Sequence, residues 1–185
     1  MCGRVSTNMP LRDHLGRRSS ECNGRRGFSL LELLMVAAIL LIIATFALPN
    51  FIRARYTANE TSAVSSLRIL YSAETQYASN YNSFSGDLNT LGPPPAGALA
   101  TATTADLVDQ VLSGQISGQP LQFQKSGYVF IYTPVGTYPS VQQYTFQANP
   151  LVRGNTGQHS FFMDQTGIVR SNNSAPATVN DNPIS

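Results

Sequence analysis

The sequence predicts an α+β fold in which one long N-terminal α-helix packs against a C-terminal antiparallel sheet of about four strands. Three observations lead to this fold class. Residues 28–52 form an almost uninterrupted apolar run, residues 53–80 continue it with the apolar spacing of an amphipathic helix, and residues 128–171 hold short aromatic and β-branched segments separated by Gly, Pro and Asn. Helix and strands are therefore separated along the chain, as in α+β domains.

The apolar run of residues 28–52 is long enough to cross a membrane. It has 25 residues, and a helix needs about 20 apolar residues to span the hydrocarbon core of a bilayer. Its residues are apolar on all sides of a helix, which suits lipid or the centre of a helix bundle. Arg25 and Arg26 precede the run, so the positive-inside rule predicts a cytoplasmic N-terminus.

Glu32 is the one ionisable residue in this run, and two interpretations of it stay open. In the first, its side chain reaches the cytoplasmic headgroups and is stabilised by the positive end of its own helix dipole. In the second, it awaits a cationic partner. If the chain were cut between Gly27 and Phe28, the new α-amine would lie four residues before Glu32, and a neighbouring subunit could offer this amine to the carboxylate.

The segment RRGFSLLELL at residues 25–34 resembles the processing site of type IV prepilins and related pseudopilins. In that family a membrane peptidase cuts after the glycine and methylates the exposed phenylalanine. The resemblance implies that Gly27 is the cleavage residue, Phe28 the N-methylated terminus and Glu32 the filament-assembly carboxylate. Pro49 matches the proline at which such helices bend, and a plain kink without further function is the simpler interpretation of it.

The same resemblance implies a type IV pilin-like fold and a structural function, not an enzymatic one. The expected role is a type IV pilus subunit that polymerises through its apolar helix into an extracellular filament for adhesion, twitching motility or DNA uptake. The alternative is a pseudopilin of a type II secretion system. The implied partners are other copies of the chain in a helical homopolymer, the prepilin peptidase and N-methyltransferase, an inner-membrane assembly platform, and membrane lipid before assembly.

Charge and cysteine content separate the predicted leader, residues 1–27, from the rest of the chain. The leader has six basic and two acidic residues, whereas residues 28–185 have six basic and eight acidic residues. Without a basic stripe in the mature part, no direct nucleic-acid binding is predicted. Both cysteines, Cys2 and Cys22, fall in the leader, so a processed chain has no disulfide, unlike many pilins.

Residues 53–80 are predicted to form the amphipathic second half of the helix. Its apolar stripe recurs at steps of three, four or seven residues, and comprises Ile52, Tyr56, Ala63, Leu67, Leu70, Ala73 and Tyr77. Residues 81–127 are predicted to be a connecting loop with one short helix over 105–112, N-capped by Thr104.

The predicted sheet occupies residues 128–171, with strands at 128–135, 141–147, 160–164 and 167–171. Pro134 and Pro139 indicate that the first strand ends early or lies at an edge. Residues 172–185, rich in Asn, Ser, Pro and Ala, are predicted to be a loose tail.

No catalytic set, cofactor site or metal site is predicted. His14 lies in the leader, and His159 stands alone in a Gly- and Asn-rich loop, so neither a triad nor a zinc site can be assembled. Residues 164–167 (DQTG) invite a calcium interpretation, but they lack the alternating carboxylates of a calcium loop. A hairpin turn is therefore favoured at this position.

The aromatic residues of the helix and its continuation could form a series for electron conduction. Simpler roles explain them better. Core packing accounts for Tyr77 and Phe84, and anchoring at a membrane interface accounts for Phe51 and Tyr56.

Overall fold

A computed structural model describes residues 27–115 and 118–184. The predicted leader, residues 1–27, therefore lies outside the described residues except for Gly27. The chain divides into two compact units, residues 1–42 and 43–185. The elements are one long helix, a short 3₁₀ turn and six strands: α1 (Leu30–Tyr81), the 3₁₀ turn (Asn89–Leu91), β1 (Gln122–Lys125), β2 (Tyr128–Val135), β3 (Gln143–Pro150), β4 (Ser160–Asp164), β5 (Arg170–Asn172) and β6 (Asn182–Pro183).

In the first unit, the side chains of residues 30–42 are exposed. By length and composition, α1 is long and apolar enough to cross a membrane, a test that signal sequences and core helices can also pass. Its most apolar window has no buried residue, which distinguishes it from the core helix of a soluble protein. The apolar surface of this segment therefore has no cover within the described residues.

In the second unit, one face of α1 contributes five buried apolar residues to the core. The buried residues of the helix follow steps of three and four and are Ala63, Ser66, Leu67, Leu70, Ala73, Glu74 and Tyr77. The five apolar positions of the predicted stripe from Ala63 to Tyr77 are thus confirmed. The stripe starts later than predicted, because Ile52 is 45% exposed and Tyr56 is only half-buried.

The described residues form a six-stranded antiparallel sheet in which each strand pairs with its neighbours in sequence, in the order β1-β2-β3-β4-β5-β6. The predicted α+β class is confirmed, with six strands instead of four. Two predicted strands have the bounds of β2 and β4, whereas β3 and β5 begin two and three residues later than predicted. The additional strands, β1 and β6, have four and two residues, too few to show a period-two pattern.

Pro134 lies inside β2, opposite Tyr144 of β3, yet it leaves no gap in the ladder. The backbone N–H of Tyr132 points away from β3 and donates to the carbonyl of Leu121, at 2.8 Å. The nitrogen of Pro134, two residues later, faces the same side, where β1 has ended. The prediction that this proline occupies an edge is correct for this half of β2.

The predicted loose tail, residues 172–185, is wrong where the structure describes it. Ala177 is fully buried, and its carbonyl accepts a hydrogen bond from the Gln147 side chain, at 3.3 Å. The Ile184 N–H donates to the Val169 carbonyl, at 2.9 Å. The Asp181 carboxylate accepts from the Asn172 side chain and the Thr178 N–H, at 2.7 and 2.6 Å. Polar side chains that suggested a loose segment instead hold it in place.

The predicted short helix over residues 105–112 does not form. Asp106 has a φ of +55°, which is incompatible with a right-handed helix. Asp109 accepts a hydrogen bond from the Leu112 N–H through its side chain, at 2.7 Å, so it closes a turn. Val108 and Leu112 enter the core from this non-helical segment.

The turn between β4 and β5 yields the first testable prediction. Gly167 has a φ of +74°, and a Cβ at this position would lie 2.7 to 3.1 Å from the ring of Tyr71 on α1. Gly167→Ala should lower the free energy of unfolding by about 1–2 kcal/mol for the backbone conformation alone, and further for the displaced ring. Denaturant titration of the detergent-solubilised chain, followed by near-ultraviolet circular dichroism, measures this loss.

Gly97→Ala is the matched control. Gly97 also has a positive φ, +84°, but a Cβ there would meet no atom within 4 Å. The difference between the two variants isolates the contact with Tyr71, and equal losses would contradict the proposed packing of this turn on the helix.

Candidate processing and assembly site

The N-terminal end of the described chain has an open, non-helical geometry. Residues 27–29 precede the helix, and the Ser29 carbonyl accepts the first backbone hydrogen bond, from Leu33, at 3.1 Å. Phe28 is 82% exposed, and a Cβ at Gly27 would meet no atom within 4 Å. Among the described residues, none covers the Gly27–Phe28 peptide bond, and none packs so closely that glycine is required at position 27.

Glu32 lies in the first turn of α1 and is exposed. In residues 27–115 and 118–184 it forms no ion pair; the pair found there joins His159 to Glu60. A carboxylate in the first turn is favourably placed for the positive end of the helix dipole. Within the described residues, the carboxylate of Glu32 therefore has no cationic partner.

Pro49 lies inside α1, where it has no backbone N–H to donate to the preceding turn. The adjacent Asn50 donates a side-chain hydrogen bond to the Phe46 carbonyl, at 3.2 Å. The preceding turn therefore receives a side-chain contact next to the proline. The bend at Pro49 stays a prediction.

Comparison with known proteins supports the assignment made from the N-terminal motif. Residues 22–48 match the family described as "Prokaryotic N-terminal methylation motif". The chain is also 38% identical, over 79 residues, to the type IV major pilin protein PilA of Myxococcus xanthus (strain DK1622).

The match to the Myxococcus pilin covers 42% of this chain and 36% of that protein, so it spans little more than a third of the length of the curated relative. No solved structure matches. The chain is therefore similar to prepilins in its N-terminal motif and to the Myxococcus pilin over part of its length.

His159 is a loop residue, as predicted, but it does not stand alone. Its Nδ1 lies 3.1 Å from Oε2 of Glu60 on α1, and Oε1 of Glu60 accepts the backbone N–H groups of Gln158 and His159, at 2.7 and 3.0 Å. Partial burial raises the pKa of Glu60, but these hydrogen bonds and the charge of His159 outweigh burial and lower that pKa overall. The pair is separated by 99 residues, so no local pattern indicates it.

A second acidic residue, Glu74, lies fully buried in the core. Its Oε2 accepts the backbone N–H of Ser85, at 3.0 Å, and its Oε1 lies 2.5 Å from the Ser85 hydroxyl. The Tyr132 hydroxyl donates to the Ser85 carbonyl, at 2.7 Å, and lies 3.2 Å from the Ser85 hydroxyl. Burial raises the pKa of Glu74, although the hydrogen bonds from Ser85 and Tyr132 oppose this effect.

This cluster can satisfy either protonation state of Glu74. When Glu74 is ionised, the Ser85 hydroxyl donates to it; when it is neutral, its own O–H donates to Ser85, whose hydroxyl then donates to Tyr132. A sequence signal for this burial existed, because Glu74 lies four residues after Leu70 and three before Tyr77, on the apolar stripe.

The remaining candidate positions have structural roles. At residues 164–167 the predicted hairpin turn is confirmed, since Asp164 accepts from the Thr166 N–H and hydroxyl, at 2.9 and 2.5 Å. In the part of the chain that the structure describes, no group of three or more metal-ligating residues occurs. Tyr77 is fully buried and Phe84 packs against the core, which confirms their predicted packing role.

The buried Glu74 generates a pH prediction. Because its folded pKa is raised above the ordinary value of 4.5, its stabilising contribution is fully present below pH 4.5 and is lost as pH rises through the folded pKa. Glutamine stays neutral at every pH. The unfolding free energy of Glu74→Gln relative to the parent chain should therefore rise above pH 4.5, by at most about 1.4 kcal/mol per pH unit.

Glu60→Gln is the control, because the pH dependence of its stability should have the opposite sign to that of Glu74→Gln. The lowered pKa of Glu60 means that its ionised form stabilises the fold above pH 4.5 and loses this contribution as pH falls through the folded pKa. Denaturant titrations across this range measure both variants. A stability difference for Glu74→Gln that does not change with pH would show that Glu74 has an unshifted pKa in the folded chain.

Proposed function

We propose that this chain is a structural subunit of a type IV pilus, and not an enzyme. One observation supports this most directly: Glu32 interrupts an apolar, uncovered helix one turn after an accessible Gly27–Phe28 bond. An anchor that only held a domain at the membrane would need neither the glycine nor the carboxylate. A polymerising helix uses both, because cleavage creates the amine that a neighbour's Glu32 can bind.

In this proposal, the prepilin peptidase cuts after Gly27 and the new terminus of Phe28 is N-methylated. Before assembly the chain lies in the bacterial inner membrane as a single-pass protein with a cytoplasmic N-terminus. An assembly platform in that membrane then transfers it into an extracellular helical filament. Pro49 permits the helix to bend as subunits pack.

Glu32 directs the transfer from lipid to filament. A carboxylate within a membrane helix costs up to about 3 kcal/mol at the helix centre and less near the interface. The methylated amine of a neighbouring Phe28 removes this cost by neutralising the charge in the filament. Glu32 thereby favours the assembled state and sets the axial position of each new subunit.

A pseudopilin of a type II secretion system is the second candidate, because it would share the motif and the helix. The two differ in where the polymer is found. Abundant surface filaments containing this chain favour the pilus subunit, whereas a secretion defect without surface filaments favours the pseudopilin.

Replacing Gly27 should block processing. Gly27→Val places a branched side chain next to the proposed cut, where a Cβ meets no atom of the chain itself. Any loss of processing then reflects exclusion from the peptidase and not misfolding. Intact-mass spectrometry of the membrane fraction should show the uncut chain in the variant and a chain beginning at methylated Phe28 in the parent.

Ala98→Val, at an exposed loop residue that lacks a positive φ, controls for a general effect on expression and should be processed normally. Efficient cleavage of Gly27→Val would remove Gly27 as the recognition residue.

Replacing Glu32 should separate processing from assembly. Glu32→Ala and Glu32→Gln both remove the charge, and the glutamine variant keeps the side-chain size. Each should insert and be cut as the parent is, but should yield at least about tenfold less filament in sheared surface fractions, the change expected for roughly 1.4 kcal/mol of lost interaction.

Quantitative immunoblotting of sheared and membrane fractions measures this yield. Arg68→Gln, which also removes one charge from α1 and changes an exposed residue outside the apolar run, is the control and should retain filaments. Parental filament levels from Glu32→Gln would show that the charge has no role in assembly.

A further inference from the structure

Exposed side chains of two kinds follow the end of the apolar run of α1, namely Arg53 and Arg55 on the helix and Leu151 and Val152 in the loop between β3 and β4. We call these four residues the basal surface. Leu151 and Val152 are 48% and 54% exposed, and both arginines are exposed. Neither guanidinium forms an ion pair with any residue in 27–115 or 118–184. The surface thus combines unpaired cations with uncovered apolar side chains.

Hydrogen bonds fix this loop at the height of the first helical turns after the arginines. The Tyr56 hydroxyl donates to the Gly154 carbonyl, the Asn59 side chain donates to the Thr156 carbonyl at 2.7 Å, and Glu60 accepts the N–H groups of Gln158 and His159. Loop residues nearer the tip at Gly154 are therefore bonded to residues nearer the N-terminus of α1. The tip itself is bonded to Tyr56.

Val152 is fixed within the same loop. Its N–H donates to the Thr156 hydroxyl, at 3.1 Å, and its carbonyl accepts the Thr156 N–H, at 2.9 Å. Thr156 is in turn bound to Asn59. The exposed side chain of Val152 is consequently held near the first turns of α1 that follow the arginines, at the same end of the sheet domain.

The position of this surface along the helix corresponds to the headgroup layer of a bilayer. If residues 28–52 fill the hydrocarbon core, Tyr56 lies four residues beyond it, or about 6 Å at 1.5 Å per residue. The headgroup layer extends roughly 5–8 Å on each side of the core. Arg53, Arg55 and the loop tip therefore fall at the depth of the lipid phosphates.

We propose that the basal surface docks on anionic phospholipid headgroups of the membrane leaflet that faces the sheet domain. This inference depends on the membrane insertion stated in the proposed function. The two guanidinium groups match phosphate in charge and geometry, and Leu151 and Val152 supply a shallow apolar contact at the interface. Docking would hold the sheet domain against the membrane before assembly and would have to be released when the subunit is extracted.

The chain offers a direct test because its two cysteines, Cys2 and Cys22, both precede Gly27. With both changed to serine, Val152→Cys gives a single labelling site for an environment-sensitive fluorophore. The full chain is reconstituted in vesicles of phosphatidylcholine, with or without phosphatidylglycerol. Lipids that carry a nitroxide on the headgroup should quench the label, and more strongly when phosphatidylglycerol is present.

Two further labels are the controls. Leu99→Cys labels an equally apolar residue that is 87% exposed, in a loop that Tyr77 holds by a hydrogen bond to Ala102. Tyr77 is 21 residues beyond Tyr56, or about 30 Å farther from the membrane along the helix, so this label should escape quenching. Leu40→Cys reports insertion and should be quenched by nitroxides on the acyl chains.

Substituting Arg53→Gln and Arg55→Gln should weaken docking about fivefold for each arginine lost in phosphatidylglycerol vesicles, while the Leu40 label stays quenched. Equal, weak quenching of the labels at positions 152 and 99, with the label at 40 still quenched, would overturn the docking proposal and leave membrane insertion intact. An unquenched label at position 40 would overturn insertion, and docking with it. If the fluorescence of the label at position 152 changes with the number of chains per vesicle but not with the phosphatidylglycerol content, another copy of the chain covers this surface. This result also overturns the proposal.

Discussion

The uncovered apolar surface of α1 is the constraint on which the rest of the molecule depends. Sixteen large apolar side chains between Phe28 and Ile52 are each 45% to 82% exposed. Fully burying one such side chain is worth about 1.5–3 kcal/mol, so this segment has no stable state in water. In the proposed function, lipid covers it before assembly and neighbouring helices cover it afterwards. Because lipid is as apolar as those helices, burial alone cannot choose between the two environments, and the proposal assigns this choice to Glu32 and to packing.

The sheet domain is attached to the same helix without a disulfide. An apolar stripe from Ala63 to Tyr77 supplies the core, and polar contacts join the helix to distant parts of the chain at two levels. Glu60 binds the loop before β4, and Glu74 binds Ser85 beside β2. Both glutamates accept hydrogen bonds from backbone N–H groups that would otherwise lack partners. These contacts fix the rotation of the sheet domain about α1 and its position along α1.

Sequence reasoning predicted the features that depend on local pattern. The bounds of β2 and β4 follow from aromatic and β-branched runs between turn residues, and the core positions of α1 from Ala63 to Tyr77 follow from apolar periodicity. Sequence patterns did not predict the features that depend on tertiary contacts. β6 has two residues and exists because Asp181 and Asn172 bind each other, and Asp106 adopts a positive φ that no helical propensity indicates. For the candidate site, the motif at Gly27, Phe28 and Glu32 was visible in sequence, whereas the Glu60–His159 pair was not.

The loop tip at Gly154 connects these two halves of the molecule. Tyr56 is the first residue of α1 whose side chain bonds to the sheet domain, and it follows the apolar run by four residues. The helix therefore changes from a segment that needs lipid or neighbours to one that has its own cover within about one turn. In the proposed function, a longer bare segment after Ile52 would place these contacts farther from the membrane. With so short a transition, the contacts that attach the sheet domain to α1 begin next to the segment that the proposal places in lipid.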